Sequence, residues 1–185
     1  AFYPNTIAAG ALKTTSGDNA AAATATYQIT STLTPNPPTV SKSFSPITEP
    51  ATAGTTTPTL IVVNPNSITN TLTTALLDDF SSSNLTVVNP VAVTATCFSA
   101  GVVVTRPAAT TLTAPSINTL QLANGSLIPG GTLPDGGSCS FVVRLTATVP
   151  SFNLNTIPAG SLTRVAGSNA SATSATFYLR GADFS

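Results

Sequence analysis

The chain has 185 residues, of which six are Lys or Arg and six are Asp or Glu, so its formal net charge is zero; His, Met and Trp are absent. At 6% charged residues, against roughly a quarter in an ordinary globular protein, it lacks the basic surface that nucleic-acid binding requires. Without His, and with two Cys, neither an ordinary zinc or transition-metal site nor Ser-His-Asp or Cys-His chemistry can be assembled.

Mean hydropathy is +0.31, although 34 residues are Thr and 20 are Ser. Disorder goes with low hydrophobicity and high net charge, and this chain has neither. β-Branched residues favour strands, and the 15 Pro and 12 Gly cluster between short runs. The pattern predicts an all-β fold, an Ig-like β-sandwich, in a structural or binding protein. One Glu and five Asp are a poor basis for catalysis, so no enzyme and no cofactor are expected. The chain opens on Ala1, as a mature secreted chain without its signal peptide or an internal fragment would. The longest aliphatic runs, Leu60-Ile61-Val62-Val63 and Val102-Val103-Val104, fall far short of the ~18 residues of a membrane span.

In chain order, residues 1–33 carry Phe2, Ile7 and Leu12. An alternating run follows, with Ala23, Ala25, Tyr27 and Ile29 on one face and Thr24, Thr26, Gln28 and Thr30 on the other. The joint Pro35-Asn36-Pro37-Pro38 is stiff and extended. From Leu85 to Cys97, Leu85, Val87, Val91, Val93, Ala95 and Cys97 share a parity. From Ser138 to Val149, Cys139, Phe141, Val143, Leu145, Ala147 and Val149 do the same. Period 2 turns both sets inward. Cys97 and Cys139 therefore lie on core faces, and one disulfide is expected, with two buried free thiols as the alternative. A disulfide implies an oxidising, extracellular setting. Gly130-Gly131 and Gly136-Gly137 follow prolines closely and read as turns.

The last strands are expected at about 151–158 and 170–180, and they have a duplicate. Residues 1–29 align without gaps to 151–179, with 13 identities that include Asn5-Thr6-Ile7 against Asn155-Thr156-Ile157 and Asn19-Ala20 against Asn169-Ala170. Residues 37–185 thus read as one complete sandwich. Residues 1–36 read as an extra N-terminal strand segment and joint, a second copy of closing strands whose host is elsewhere. Isolated two-stranded pieces are marginal in water. The host is either an upstream domain of a longer tandem chain or another copy of this protein, which receives the donated strands by β-augmentation. Head-to-tail repetition of such a contact builds an open filament, a homo-polymer. The donating residues would be Phe2, Ile7, Leu12, Ala23, Ala25, Tyr27 and Ile29. Five apolar side chains at ~1.5–3 kcal/mol each give roughly 8–15 kcal/mol gross.

Several segments carry a family resemblance. They are Pro38-Thr39-Val40-Ser41-Lys42-Ser43-Phe44-Ser45-Pro46, Leu60-Ile61-Val62-Val63-Asn64-Pro65-Asn66, Gly136-Gly137-Ser138-Cys139-Ser140-Phe141 and Asn155-Thr156-Ile157-Pro158-Ala159-Gly160. In these the chain resembles the Ig-like conserved-repeat domains of large bacterial surface proteins. The resemblance implies an extracellular, cell-surface β-sandwich, often in tandem, with a paired-cysteine position like Cys97 and Cys139 and no catalytic residues. By analogy of mechanism alone, the spare strands are similar to those of donor-strand pili.

A few side chains invite a chemical reading. Asp78-Asp79 and Asp135 could ligate calcium through oxygens, but read more simply as turn and strand-end acids. Lys42, Glu49 and a strand asparagine such as Asn64 could form an intramolecular isopeptide crosslink. That chemistry needs a buried Lys–Asn pair beside a carboxylic acid, and Lys42 reads instead as an exposed strand residue. Asn84, Asn124 and Asn169 each open an Asn-x-Ser/Thr pattern, so surface glycans are possible partners.

Overall fold

The computed structural model describes residues 2–28, 36–50, 53–132, 136–165 and 167–181, with the side chains of Phe2, Tyr3, Tyr27, Gln28 and Pro50 left out. All regular elements among them are β-strands. The chain divides into two compact units, Ala1–Thr34 and Pro35–Ser185.

The larger unit is a β-sandwich. Its main sheet is organised by Gly54–Asn64, an 11-residue strand whose apolar and β-branched run suits a pleated surface. One edge of this strand pairs with the opening strand Thr39–Ser45, from Thr39↔Val63 to Ser45↔Thr57. The other edge pairs with Leu145–Ala147 and Gly137–Val142. Leu85–Val87, Thr94–Ser99 and Val102–Val104 extend the sheet. The remaining strands form smaller sheets. In one, Ser151–Ile157 pairs with Thr173–Arg180, a closing hairpin to which Thr48–Pro50 adds in parallel. In another, Leu76–Asp79 pairs with Thr119–Leu122, which pairs with Leu112–Ser116.

Period-2 alternation delivers the core. Val40, Phe44, Leu60, Val62, Phe80, Phe141, Leu145, Ile157, Leu162, Phe177 and Leu179 are all buried. Of the expected core residues, Val93 and Ala95 are only half-buried against the core, and two are exposed. Val149 is 50% exposed because its strand ends at Ala147. Val91 is 38% exposed because 88–93 is irregular, so the run from Leu85 to Cys97 is two strands, not one.

Cys97 and Cys139 stand directly opposite each other on neighbouring antiparallel strands. They form a disulfide, with Cα atoms 4.0 Å apart and both residues fully buried. The bond joins two strands already in register and closes a loop of sequence separation 42.

Candidate functional site

The opening strand buries Val40, Lys42 and Phe44 and exposes the residues between them. Lys42 is therefore an inward lysine, not the exposed strand residue its charge suggests. Its side chain is 0% exposed and that of Asp78 is 2%. Asp78 turns inward because Leu76–Asp79 alternates buried and exposed, with Phe80 following on the same face. Asn155 turns inward in the closing hairpin, where Asn153, Asn155 and Ile157 are the buried parity. Three strands from three different sheets thus deliver an amine, a carboxyl and a carboxamide to one point in the core.

There Lys42 Nζ lies 2.5 Å from Asp78 Oδ2 and donates to Asn155 Oδ1. Asn155 Nδ2 donates to the Asp79 carbonyl at 2.6 Å, which fixes which face of the amide meets the lysine. The walls are aromatic: Nζ is 4.2 Å from the Phe80 ring centroid and 5.4 Å from that of Phe44. Asp78 Oδ1 is buried without a hydrogen-bond partner.

Burial disfavours both charged forms. Desolvation pulls the Lys42 amine down to about 8, against the attraction of Asp78. Desolvation likewise pushes the Asp78 carboxyl up, against the pull of Lys42 and Asn155. Both shifts favour the neutral pair: a free amine, hence a nucleophile, beside a carboxylic acid. As a device for stability the cluster is poor. Burying ions costs several kcal/mol each, and a well-packed apolar replacement is often as stable or more so.

The two other residues considered beside Lys42 lie elsewhere. Glu49 is in the edge strand Thr48–Pro50. Asn64 organises turns: its Nδ2 donates to the Ile68 and Pro129 carbonyls at 2.8 and 3.0 Å, and its Oδ1 accepts from Asn70 Nδ2 at 2.9 Å. The acid and amide at the lysine are Asp78 and Asn155. The parity of Val40-Lys42-Phe44 and Leu76-Asp78-Phe80 was the available signal for two of the three.

The duplicated segment folds as its sequence copy does. Phe2–Ile7 pairs with Ala23–Gln28 from Phe2↔Gln28 to Ile7↔Ala23. The closing hairpin pairs Phe152↔Tyr178 to Ile157↔Thr173, the same register displaced by 150 residues. An asparagine clamps each hairpin. Asn19 Oδ1 accepts from the Leu12 N–H and its Nδ2 donates to the Ala8 and Ala21 carbonyls. Asn169 does the same with Leu162, Pro158 and Ser171. What differs is cover. Ile157 and Leu162 are 0% exposed, whereas Ile7 and Leu12 are 55% and 60% exposed. Ala23 and Ala25 are exposed as well. Ile29 and the side chains of Phe2 and Tyr27 lie outside the described residues.

Of the remaining candidates, Asp79 accepts from the Ser81 N–H at 2.8 Å, which holds its carboxyl below the usual range. Asp135 lies outside the described residues. No group of three or more His, Cys, Asp or Glu placed to hold a metal occurs among the described residues. Asn84 and Asn124 are exposed, but Asn169 is buried by its clamp and does not present its amide to solvent. No helix among the described residues is long and apolar enough to cross a membrane.

No curated protein matches the chain. Among solved structures it is similar to the pilus backbone RrgB of Streptococcus pneumoniae, at 14% identity and TM-score 0.38, over 65% of this chain and 31% of that one. It is also similar to BslA, a bacterial hydrophobin, at 11% identity and TM-score 0.41, over 80% of this chain and 96% of that one. A third similarity is to the CBM3a-L domain of scaffoldin cipA of Clostridium thermocellum, at 12% identity and TM-score 0.33, over 60% and 67%. The chain thus spans about a third of the pilus backbone's length. One family matches across residues 38–179, and the chain belongs to it: the family described as Domain of unknown function (DUF7933).

Proposed function

We propose that the chain is a structural subunit of an extracellular, pilus-like filament, joined head to tail by inter-subunit strand donation from its N-terminal hairpin. One observation carries the reading. Residues 2–28 reproduce the closing hairpin in register and clamp, yet leave exposed Ile7 and Leu12, whose counterparts Ile157 and Leu162 the closing hairpin buries. A surface shaped for a sandwich of this kind calls for such a sandwich as host, and another copy supplies one. The disulfide fits an oxidising compartment, and a surface of Thr and Ser with 6% charge opposes close packing little. Glycans at Asn84 or Asn124 are compatible with that exterior.

A second reading has its own support. Residues 151–180 already fill the closing position of this sandwich. A host without a vacancy must give up its own hairpin, whereas a preceding domain of a longer tandem chain would have residues 1–28 as its native closure. In that reading the protein is one Ig-like module of a tandem-repeat adhesin or surface-layer protein. Deleting 1–33 and imaging the product tests the filament: filaments unchanged by the deletion refute it. Size exclusion over a concentration series separates the two readings, since polymers that grow with concentration belong to the filament alone.

A further inference from the structure

We propose that Lys42 and Asn155 become joined by an intramolecular isopeptide bond, with Asp78 as the acid and base that moves the protons. The geometry supplies each element of an amine-for-ammonia exchange at a carboxamide. Lys42 Nζ is the nucleophile, and it is already hydrogen-bonded to the oxygen of the Asn155 carboxamide whose carbon it must reach. Asp78 Oδ2 is 2.5 Å from the same nitrogen, within reach for proton transfer. Asn155 Nδ2, the leaving group, is held by the Asp79 carbonyl on the other side of the amide.

The reaction starts from the neutral pair. The Lys42 Nζ lone pair attacks Asn155 Cγ while the Asp78 carboxyl gives its proton toward Oδ1, forming a tetrahedral centre. Asp78 then accepts a proton from Nζ and passes it to Nδ2. The Cγ–Nδ2 bond breaks, ammonia leaves, and Oδ1 returns its proton to Asp78 as it becomes a carbonyl. One C–N bond forms and one breaks, nothing is oxidised or reduced, and Asp78 ends protonated as it began. Preorganisation drives the step: the reactants are held in contact in a pocket walled by Phe80 and Phe44. Lys42, Asp78 and Asn155 are all nearly inaccessible to solvent, at 8%, 2% and 2% residue exposure, so competing hydrolysis is suppressed.

The bond also accounts for an otherwise unexplained expense in the fold. It removes the buried amine, leaves a neutral acid, and converts two desolvated polar groups into one amide. It ties the opening strand to the closing hairpin across 113 residues of sequence, so both ends of the sandwich are held against extension. Once formed, the bond holds the closing hairpin in place, so a sandwich that accepts a neighbour's hairpin must do so before its own Lys42 and Asn155 are joined.

Intact mass spectrometry of the reduced full-length protein tests it. The expected mass is below that of the sequence by one ammonia, about 17 Da. Proteolysis should release one peptide pair joined through Lys42 and Asn155. Lys42→Met and Asp78→Asn should each restore the full mass, with circular dichroism confirming that the sandwich has formed. The wild-type protein at full sequence mass overturns the proposal. So does a deficit with Lys42 and Asn155 on separate peptides, as succinimide formation at Asn124-Gly125 would give.

Discussion

Ile157 and Ile7 occupy the same position in two copies of one hairpin, and truncating each to Ala asks whether they do the same work. Ile157 is 0% exposed. Removing its outer carbons loses their transfer free energy and leaves a cavity, together about 2–5 kcal/mol for Ile→Ala in a core. At roughly 2–4 °C per kcal/mol for a protein of this size, the thermal midpoint of Ile157→Ala falls by about 4–20 °C. Ile7 is 55% exposed, so Ile7→Ala in the dilute, unassembled chain should change stability by no more than about 0.5 kcal/mol. Once the N-terminal hairpin is seated in a neighbouring sandwich, Ile7 takes on the burial of Ile157 and its truncation acquires the same cost. Adding Leu12→Ala, the counterpart of buried Leu162, should deepen the effect. The assay pairs thermal melts at low concentration with sedimentation at high concentration. Equal destabilisation by Ile7→Ala and Ile157→Ala in the dilute chain would refute the reasoning, since it would mean Ile7 is already buried. Assembly undiminished in the double variant would refute it equally.

Further predictions come from the core. Reducing the Cys97–Cys139 bond, which closes a loop of separation 42, should cost about 4 kcal/mol by the chain-entropy relation, read as a lower urea midpoint in reductant. In Asn155→Ala, which cannot form the crosslink, Lys42 stays a buried amine held down at about 8 against 10.5 when unfolded. The unfolded chain then binds the extra proton between those values, so stability should rise as pH goes from 8 to 10.5. Wild type, its Lys42 locked in an amide, should lack that rise between pH 8 and 10, below the range in which Arg164 titrates in both proteins, and equal slopes there would contradict the crosslink. Arg164 is buried, its guanidinium has no hydrogen-bond partner among the described residues, and burial holds it down at about 10. Arg164→Met should therefore match or exceed wild type in urea midpoint; a loss above about 2 kcal/mol would show that the charge is compensated. Asn5 pairs with Ala25 as Asn155 pairs with Ala175. Where the N-terminal hairpin closes a neighbouring sandwich, digestion of the assembly should yield Lys42 joined to Asn5, and its absence from assembled material would exclude that seating.

Residue chemistry and period-2 alternation by themselves determined the all-β class, the inward Cys97 and Cys139, and the repeat that identifies two hairpins as copies. These are local properties: strand parity and self-similarity are read along one segment at a time. Lys42 shares the parity of Val40 and Phe44, yet it reads from sequence as an exposed strand residue, because charge argues for solvent. Only the tertiary structure settled it. Strands 113 residues apart, paired with different neighbours, had to be superposed before Asp78 and Asn155, rather than Glu49 and Asn64, stood beside the amine. Which side chains meet depends on how sheets stack across a core, and that stacking is not encoded in any single strand. The same holds for cover: the two hairpins share sequence, register and clamp, and burial alone distinguishes Ile157 from Ile7.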